Sequence, residues 1–246
     1  MGSFLYELGL RPPYPICLDS LETIKFIKEH SLSLARFGDG EFNLMFDAPC
    51  IFQKNDPKLS IELLEILKTK QENLLVGIPD IFKSLKAYTK PSRQYWRKYL
   101  INNRSRIYEI IDFEKPYVNS MVSRPSIKTT HSNAYIKKIM EGWKQIWQDR
   151  PVLRVKGEVD EIKYSSNLFD NASALNTIYT PSEDAYSSID EIEDKVKGFD
   201  VKTTVILSVG PAATVLAYRL SMLGYQALDV GHLERAYVDF LFKMEN

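Results

Sequence analysis

The amino-acid sequence predicts an α/β fold, a mostly parallel sheet with helices on both faces, and three observations carry that prediction. Short apolar runs alternate with stretches of helical periodicity along the 246 residues. The last third holds a strand, a helix and a second strand in sequence, with Gly210-Pro211 and Gly224 at the junctions. Runs such as Leu74-Leu75-Val76-Gly77-Ile78 are apolar without alternation, as strands buried on both faces are. The length suits one large domain, taken as residues 1–246.

Each element has a local reason. Asp19 followed by Glu22 is a helix start, with Leu21, Ile24 and Ile27 on one face and Lys25, Lys28 and Glu29 on the other. Ser33-Leu34-Ala35 forms a strand. Pro57 opens a helix carrying Leu59, Leu63, Leu64 and Leu67, and the strand 74–78 stops at Pro79. Residues 92–111 read as a helix rich in Arg, Lys, Tyr and Trp, 117–120 as a short strand, 132–147 as a helix and 152–156 as a strand. The stretch 164–171 reads as a polar loop running into a short helix. Residues 203–209 are a strand, the helix after it turns Val215, Leu216, Leu220 and Leu223 inward, and 225–230 complete the unit.

Composition removes several classes. Lys plus Arg equals Asp plus Glu at 32 each, so no net field draws the chain to nucleic acid or anionic lipid. Cys17 and Cys50 are the two cysteines, without metal-type spacing, and a reduced cytoplasmic setting is expected. The first residues lack the pattern of a secretion signal, and no window is apolar for the ~18 residues a membrane span needs.

Chemistry is expected at strand ends. In Ala35-Arg36-Phe37-Gly38-Asp39-Gly40-Glu41 two carboxylates stand one residue apart, a pattern whose oxygens suit Mg²⁺ or Mn²⁺ bound together with substrate phosphates. Gly38 and Gly40 allow a sharp turn, and Asp-Gly is equally a plain hairpin signal. Gly210-Pro211-Ala212-Ala213-Thr214 joins a strand to a helix, where N–H groups and the helix dipole favour phosphate, although neither the dinucleotide fingerprint nor the P-loop is present. His232 follows the last strand as a metal ligand, phosphate contact or proton carrier. Arg124, in Ser123-Arg124-Pro125, suits phosphate or a surface ion pair. Glu158 follows the strand 152–156 and suits ribose or base, while Asn167, Asp170 and Asn171 bind polar groups or cap a helix. Tyr95, Trp96 and Tyr99 have helical spacing and read as packing, outside the site. Ligands of open α/β sheets bind at the carboxyl ends of strands, where Asp39, Gly210 and His232 all fall.

Assembled, these blocks resemble the bacterial DUF1792 family, the GT-D type glycosyltransferases, whose characterised members lengthen glycans on serine-rich adhesins. The similarity rests on 35–41, Ile51-Phe52-Gln53, Val122-Ser123-Arg124-Pro125, Gly157-Glu158, Leu168-Phe169-Asp170-Asn171-Ala172, the run 210–218 and the run 223–232, in that order. It implies a Rossmann-like fold of GT-D type and a metal-dependent enzyme moving a hexose from a UDP-sugar to a glycan or glycoprotein hydroxyl. The metal is expected at Asp39, Glu41 and His232. Donor contacts are expected at Arg36, Gly38, Arg124, Glu158, Asn167, Asp170, Asn171, Gly210, Pro211, Ala212 and Thr214. The base is expected among Glu234, His232 and Asp239, with Glu234 first. Two departures stand out: Glu161 to Asn167 replaces an arginine and a glycine-rich loop, and only Glu234 and Asp239 remain of the acidic residues after the histidine. The competing expectation is a nucleotide-binding protein without transferase activity, a sensor or a degenerate enzyme.

Overall fold

The computed structural model describes residues 14–157 and 167–245; Glu158 and the altered stretch 161–166 lie outside them. Seven strands form one sheet: β1 (Ser33–Arg36), β2 (Leu74–Ile78), β3 (Val118–Asn119), β4 (Pro151–Gly157), β5 (Ala174–Thr180), β6 (Thr204–Ser208) and β7 (Ala227–Asp229). Their spatial order is β3-β2-β1-β7-β6-β4-β5, and each pair is parallel. The eight α-helices among the described residues are α1 (Ser20–His30), α2 (Asp39–Met45), α3 (Pro57–Lys68), α4 (Lys90–Ile110), α5 (Asn133–Ile146), α6 (Ile189–Lys197), α7 (Ala212–Met222) and α8 (Leu233–Glu245).

Two cores flank the sheet, as strands without polar alternation require. On one face Leu59, Leu63, Ile66 and Leu67 of α3, with Trp96 and Leu100 of α4 and Val215 and Leu216 of α7, cover Ala35, Val76, Val205 and Leu207. On the other, Ile24 and Ile27 of α1, Ile139 and Trp143 of α5 and Leu233, Ala236 and Phe240 of α8 cover Leu34, Val152, Ile206 and Leu228. Capping follows the expected chemistry: Asp19 accepts from Leu21 and Glu22 N–H while Glu22 accepts from Asp19 N–H, and Asp56 caps the helix that Pro57 opens.

Three expectations change. Asp39 and Glu41 form the first turn of α2, with Gly38 as its N-cap, so the hairpin alternative is excluded. Leu223 is 47% exposed instead of inward, because the helix has ended and Gly224 takes φ +88°. The loop 167–173 leads into the edge strand β5 and not a helix; β5 pairs with β4 along all seven residues, a strand the polar flanks obscured. No helix among the described residues is long and apolar enough to cross a membrane.

Candidate functional site

The chain leaves β1 toward α2 and α3 on one face and leaves β7 toward α8 on the other, so the carboxyl ends of these two neighbouring strands border a crevice. Arg36 closes its floor. Its Nε and Nη2 donate to the carbonyl and Oδ1 of Asp229, both at 2.7 Å, and Nη1 donates to Ser120 O at 3.0 Å and Ser123 Oγ at 2.8 Å. Gly231 N–H donates to the same Asp229 oxygen at 3.1 Å. Gly231 has φ +47°, and a Cβ there would stand 2.3 Å from Arg36 Nη2. Only glycine fits, and His232 is the next residue. Arg36, expected to contact the donor, therefore spends most of its donors on the protein.

The carboxylate pair stands on this rim. Glu41 Oε2 accepts from Gly38 N–H at 2.6 Å. Burial, and then the charge of Asp229, push the Glu41 carboxyl up to about 7 against the pull of backbone N–H groups and Arg36. Asp229 is likewise raised, chiefly by burial, with Arg36 opposing. Asp39 Oδ2 accepts from the Tyr95 hydroxyl. Tyr99 OH donates to Asn43 Oδ1 at 3.3 Å, and its ring stacks on Tyr95 with centroids 6.3 Å apart. The tyrosines set aside as packing thus belong to the site. Helical spacing is identical for a ring that only packs and one whose hydroxyl reaches a carboxylate. Asp229 was missed too, being embedded in an apolar strand.

Arg124 follows the 3-10 turn Ser120–Ser123 after β3. Its Nε is buried and has no hydrogen-bond partner. Burial and the like charges of Arg36 and Arg235 lower its pKa, while Asp39 and Tyr88 favour its charge. Such a cation suits an anion entering the crevice. Asp80, two residues past β2, accepts from the Tyr88 hydroxyl on the same rim and was also missed.

The three candidate bases separate. His232 is exposed at the rim. Glu234 is spent on ion pairs, with Oε2 3.1 Å from Lys156 Nζ and Oε1 3.7 Å from Arg154 Nη1. Asp239 lies on α8 about 9 Å from the helix start, at 1.5 Å per residue. Among the described residues no three His, Cys, Asp or Glu side chains are grouped to hold a metal, so His232 does not complete a preformed cage with Asp39 and Glu41.

Six expected donor contacts are corrected. Asn171 O and Ser173 N pair with Asp149 N and Arg150 O, ahead of the first residue of β4. Lys144 Nζ, near the end of α5, reaches Asn167 O and Asp170 Oδ1, and Asn171 Nδ2 donates to Lys144 O. Asn167, Asp170 and Asn171 therefore sit at the amino edge, and β4 separates them from the crevice by roughly 20 Å at 3.3 Å per residue. At the other end, Gly210 is exposed with φ +61°, but Ala213 and Thr214 N–H already donate to Gly210 and Pro211 carbonyls at 3.0 and 3.2 Å. Thr214 Oγ1 donates to Arg36 O at 2.8 Å, so Thr214 braces β1. Pro211 and Ala212 are buried beneath that turn.

Residues 34–246 match the sequence family described as the glycosyltransferase GT-D fold. The chain is 32% identical over 245 residues to the Streptococcus gordonii protein named "Probable glycosyl transferase Gly", an overlap of 96% of this chain and 35% of that protein. It is 32% identical over 217 residues to glycosyltransferase GlyD of Streptococcus pneumoniae, covering 88% of this chain and 26% of that protein. It thus spans about a third or less of these curated relatives. A solved structure of a glycosyltransferase (DUF1792) from Streptococcus sanguinis superposes with TM-score 0.88 at 30% identity, covering 94% of this chain and 86% of that one. A second, described as DUF1792 with a distinct glycosyltransferase fold, gives TM-score 0.87 at 30% identity over 94% and 82%.

Proposed function

Because the chain belongs to the GT-D-fold glycosyltransferase family, we propose that it moves a hexose from a UDP-sugar donor to a hydroxyl of a glycan or glycoprotein acceptor, with Mn²⁺ or Mg²⁺ at Asp39 and Glu41. The observation that carries this reading is the meeting, at one crevice, of two adjacent carboxylates and the partnerless Nε of Arg124. The donor set fits a hard cation: Asp39 and Glu41 each commit one oxygen to the protein, leaving the other, and the mutual repulsion of half-buried Glu41 and buried Asp229 marks a deficit of positive charge. When bound there, the metal would neutralise the donor diphosphate.

The protein's own groups do the rest. Breaking the anomeric C–O bond sends its electron pair to the nucleoside diphosphate, and the fixed charge of Arg124 stabilises that anion as it forms. The acceptor oxygen bonds to the anomeric carbon and its proton passes to His232, the one candidate base on the rim whose position is compatible with general-base work. Glu234, held by Lys156 and Arg154, organises the neighbouring strand ends instead. Asp39→Ala and Glu41→Ala proteins are expected to lose slow UDP-sugar hydrolysis while remaining folded. Wild-type turnover in both would overturn the scheme. Thermal stabilisation by UDP plus Mn²⁺, with no hydrolysis of any nucleotide sugar, would point to the competing nucleotide-binding protein.

A further inference from the structure

A groove of about 770 Å³ runs between α4 and the segment 81–85, which begins one residue beyond Asp80 on the catalytic rim. Lys83, Arg97 and Arg104 line it, and no carboxylate does among the described residues. The cations are part of a wider bias: α4 carries Lys90, Arg93, Arg97, Lys98, Arg104 and Arg106 against Glu109 alone, in a chain whose net charge is zero. Charge concentrated this way on a neutral protein is a local recognition feature. The groove also exposes 83% of Ile101, and Phe82 and Tyr108 form its apolar floor. Arg97 forms no ion pair with the described residues, and Lys83 and Arg104 lie over the rings of Tyr14 and Tyr108 at 5.6 and 5.9 Å.

The helix has two functional faces. Tyr95 and Tyr99 hold Asp39 and Asn43 on one, while Arg97, Ile101 and Arg104 face the groove on the other. A helix with side chains is about 10 Å across, so a ligand in the groove lies about two sugar residues from the reacting centre. We propose that this groove is an extended acceptor site for a glycan chain bearing phosphate or carboxylate groups, gripping the chain beyond the residue being modified. The assignment rests on the transferase reading above. It adds the acceptor's chemical class: a neutral glycan supplies no counter-ion to Lys83, Arg97 and Arg104, whereas an anionic one pairs with them around the apolar floor.

Fluorescent dextran sulfate and neutral dextran serve as probes, with donor hydrolysis measured on the same proteins. Wild type is expected to bind dextran sulfate at least about tenfold more tightly than dextran, and Arg97→Glu/Arg104→Glu to lose that preference. Lys137→Glu/Lys138→Glu, an equal charge change on α5, is expected to keep it. All three are expected to hydrolyse UDP-sugar alike, so an acceptor-site failure is separable from a failed transferase reading. Equal weakening by both charge reversals, or equal binding of the two dextrans, would overturn the proposal. Capture by phosphatidylserine vesicles through Arg97 and Arg104 without dextran sulfate binding would also overturn it, in favour of a membrane surface.

Discussion

Arg36 and Asp229 are locked together across the floor of the crevice, with Nε and Nη2 donating to the carbonyl and carboxylate of the same residue at 2.7 Å each. Asp229 is 3% exposed, so its charge depends on that partner. Arg36→Ala is expected to cost about 3–5 kcal/mol, the usual penalty for stranding one member of a buried pair. Arg36→Lys is expected to recover only part, since an ammonium cannot reproduce the planar fork. Urea denaturation midpoints of the two variants check this ordering.

Gly231→Ala introduces a Cβ 2.3 Å from Arg36 Nη2 at φ +47°. The guanidinium must leave Asp229 or the turn carrying His232 must move. A loss of about 1–3 kcal/mol is expected, together with weaker donor binding. Gly40→Ala is the control: it lies in α2 without a positive φ, and the nearest atom, Cys50 Sγ, is at an ordinary 3.4 Å. That change should leave stability unchanged or raise it by up to about 1 kcal/mol.

Tyr95→Phe removes the hydroxyl from Asp39 and keeps the ring on Tyr99 and Trp96. Because Tyr95 is 49% exposed, little stability rides on it. A partner that orients a metal-binding carboxylate typically matters by 10–100-fold in affinity or activity, and a loss of about that size is expected in Mn²⁺ binding and in turnover. Manganese titration at an unchanged melting temperature gives the answer, and an unaltered Mn²⁺ affinity would remove Tyr95 from the site.

What sequence could foresee divides along the direction of the strands. Parallel strands put all their carboxyl ends on one edge, so Asp39, Gly210 and His232 were placed on a common rim from strand predictions alone. Asn167, Asp170 and Asn171 failed for the same reason inverted. With 164–171 expected to be a loop running into a short helix, and no strand expected after it, nothing in the sequence marks that loop as belonging to the amino edge. The family resemblance points to Glu234 as a candidate base, but its ion pairs depend on Arg154 and Lys156 emerging on the face that α8 covers, a matter of register. Tyr95, Asp80 and Asp229 needed three-dimensional contacts to be seen at all.

The pH dependence of the metal-free protein follows from Glu41, whose carboxyl ionises near 7 when folded against an ordinary 4.5. Between those values the folded chain holds a proton that the unfolded chain has released. Stability contributed by this group is therefore highest at low pH, falls as pH rises from about 4.5 to 7, and levels off above, by roughly 3 kcal/mol at about 1.4 kcal/mol per unit. The raised Asp229 acts in the same direction. With a chelator present, midpoints at pH 5 and pH 8 should differ in that sense, and Glu41→Gln should flatten the difference. A stability that rises over the interval would contradict the burial of Glu41.

Glu234→Gln separates a structural carboxylate from a catalytic one. Lys156 has a side chain only 4% exposed and lies 3.1 Å from Glu234 Oε2, with Arg154 at 3.7 Å from the other oxygen. The amide keeps the shape but removes the negative charge that faces Lys156 and Arg154 on β4. The expected result is a loss of about 1–3 kcal/mol in stability, with turnover per folded molecule retained within a few-fold. His232→Ala should do the reverse, because its side chain is exposed and its removal takes the proton acceptor from the rim. A general base is typically worth about 10²–10⁴ in rate, so the two variants should differ by at least tenfold in kcat when compared at equal folded fraction. If Glu234→Gln instead abolishes turnover at wild-type stability, the ion pairs with Lys156 and Arg154 must open during the reaction, and the base belongs on the first turn of α8.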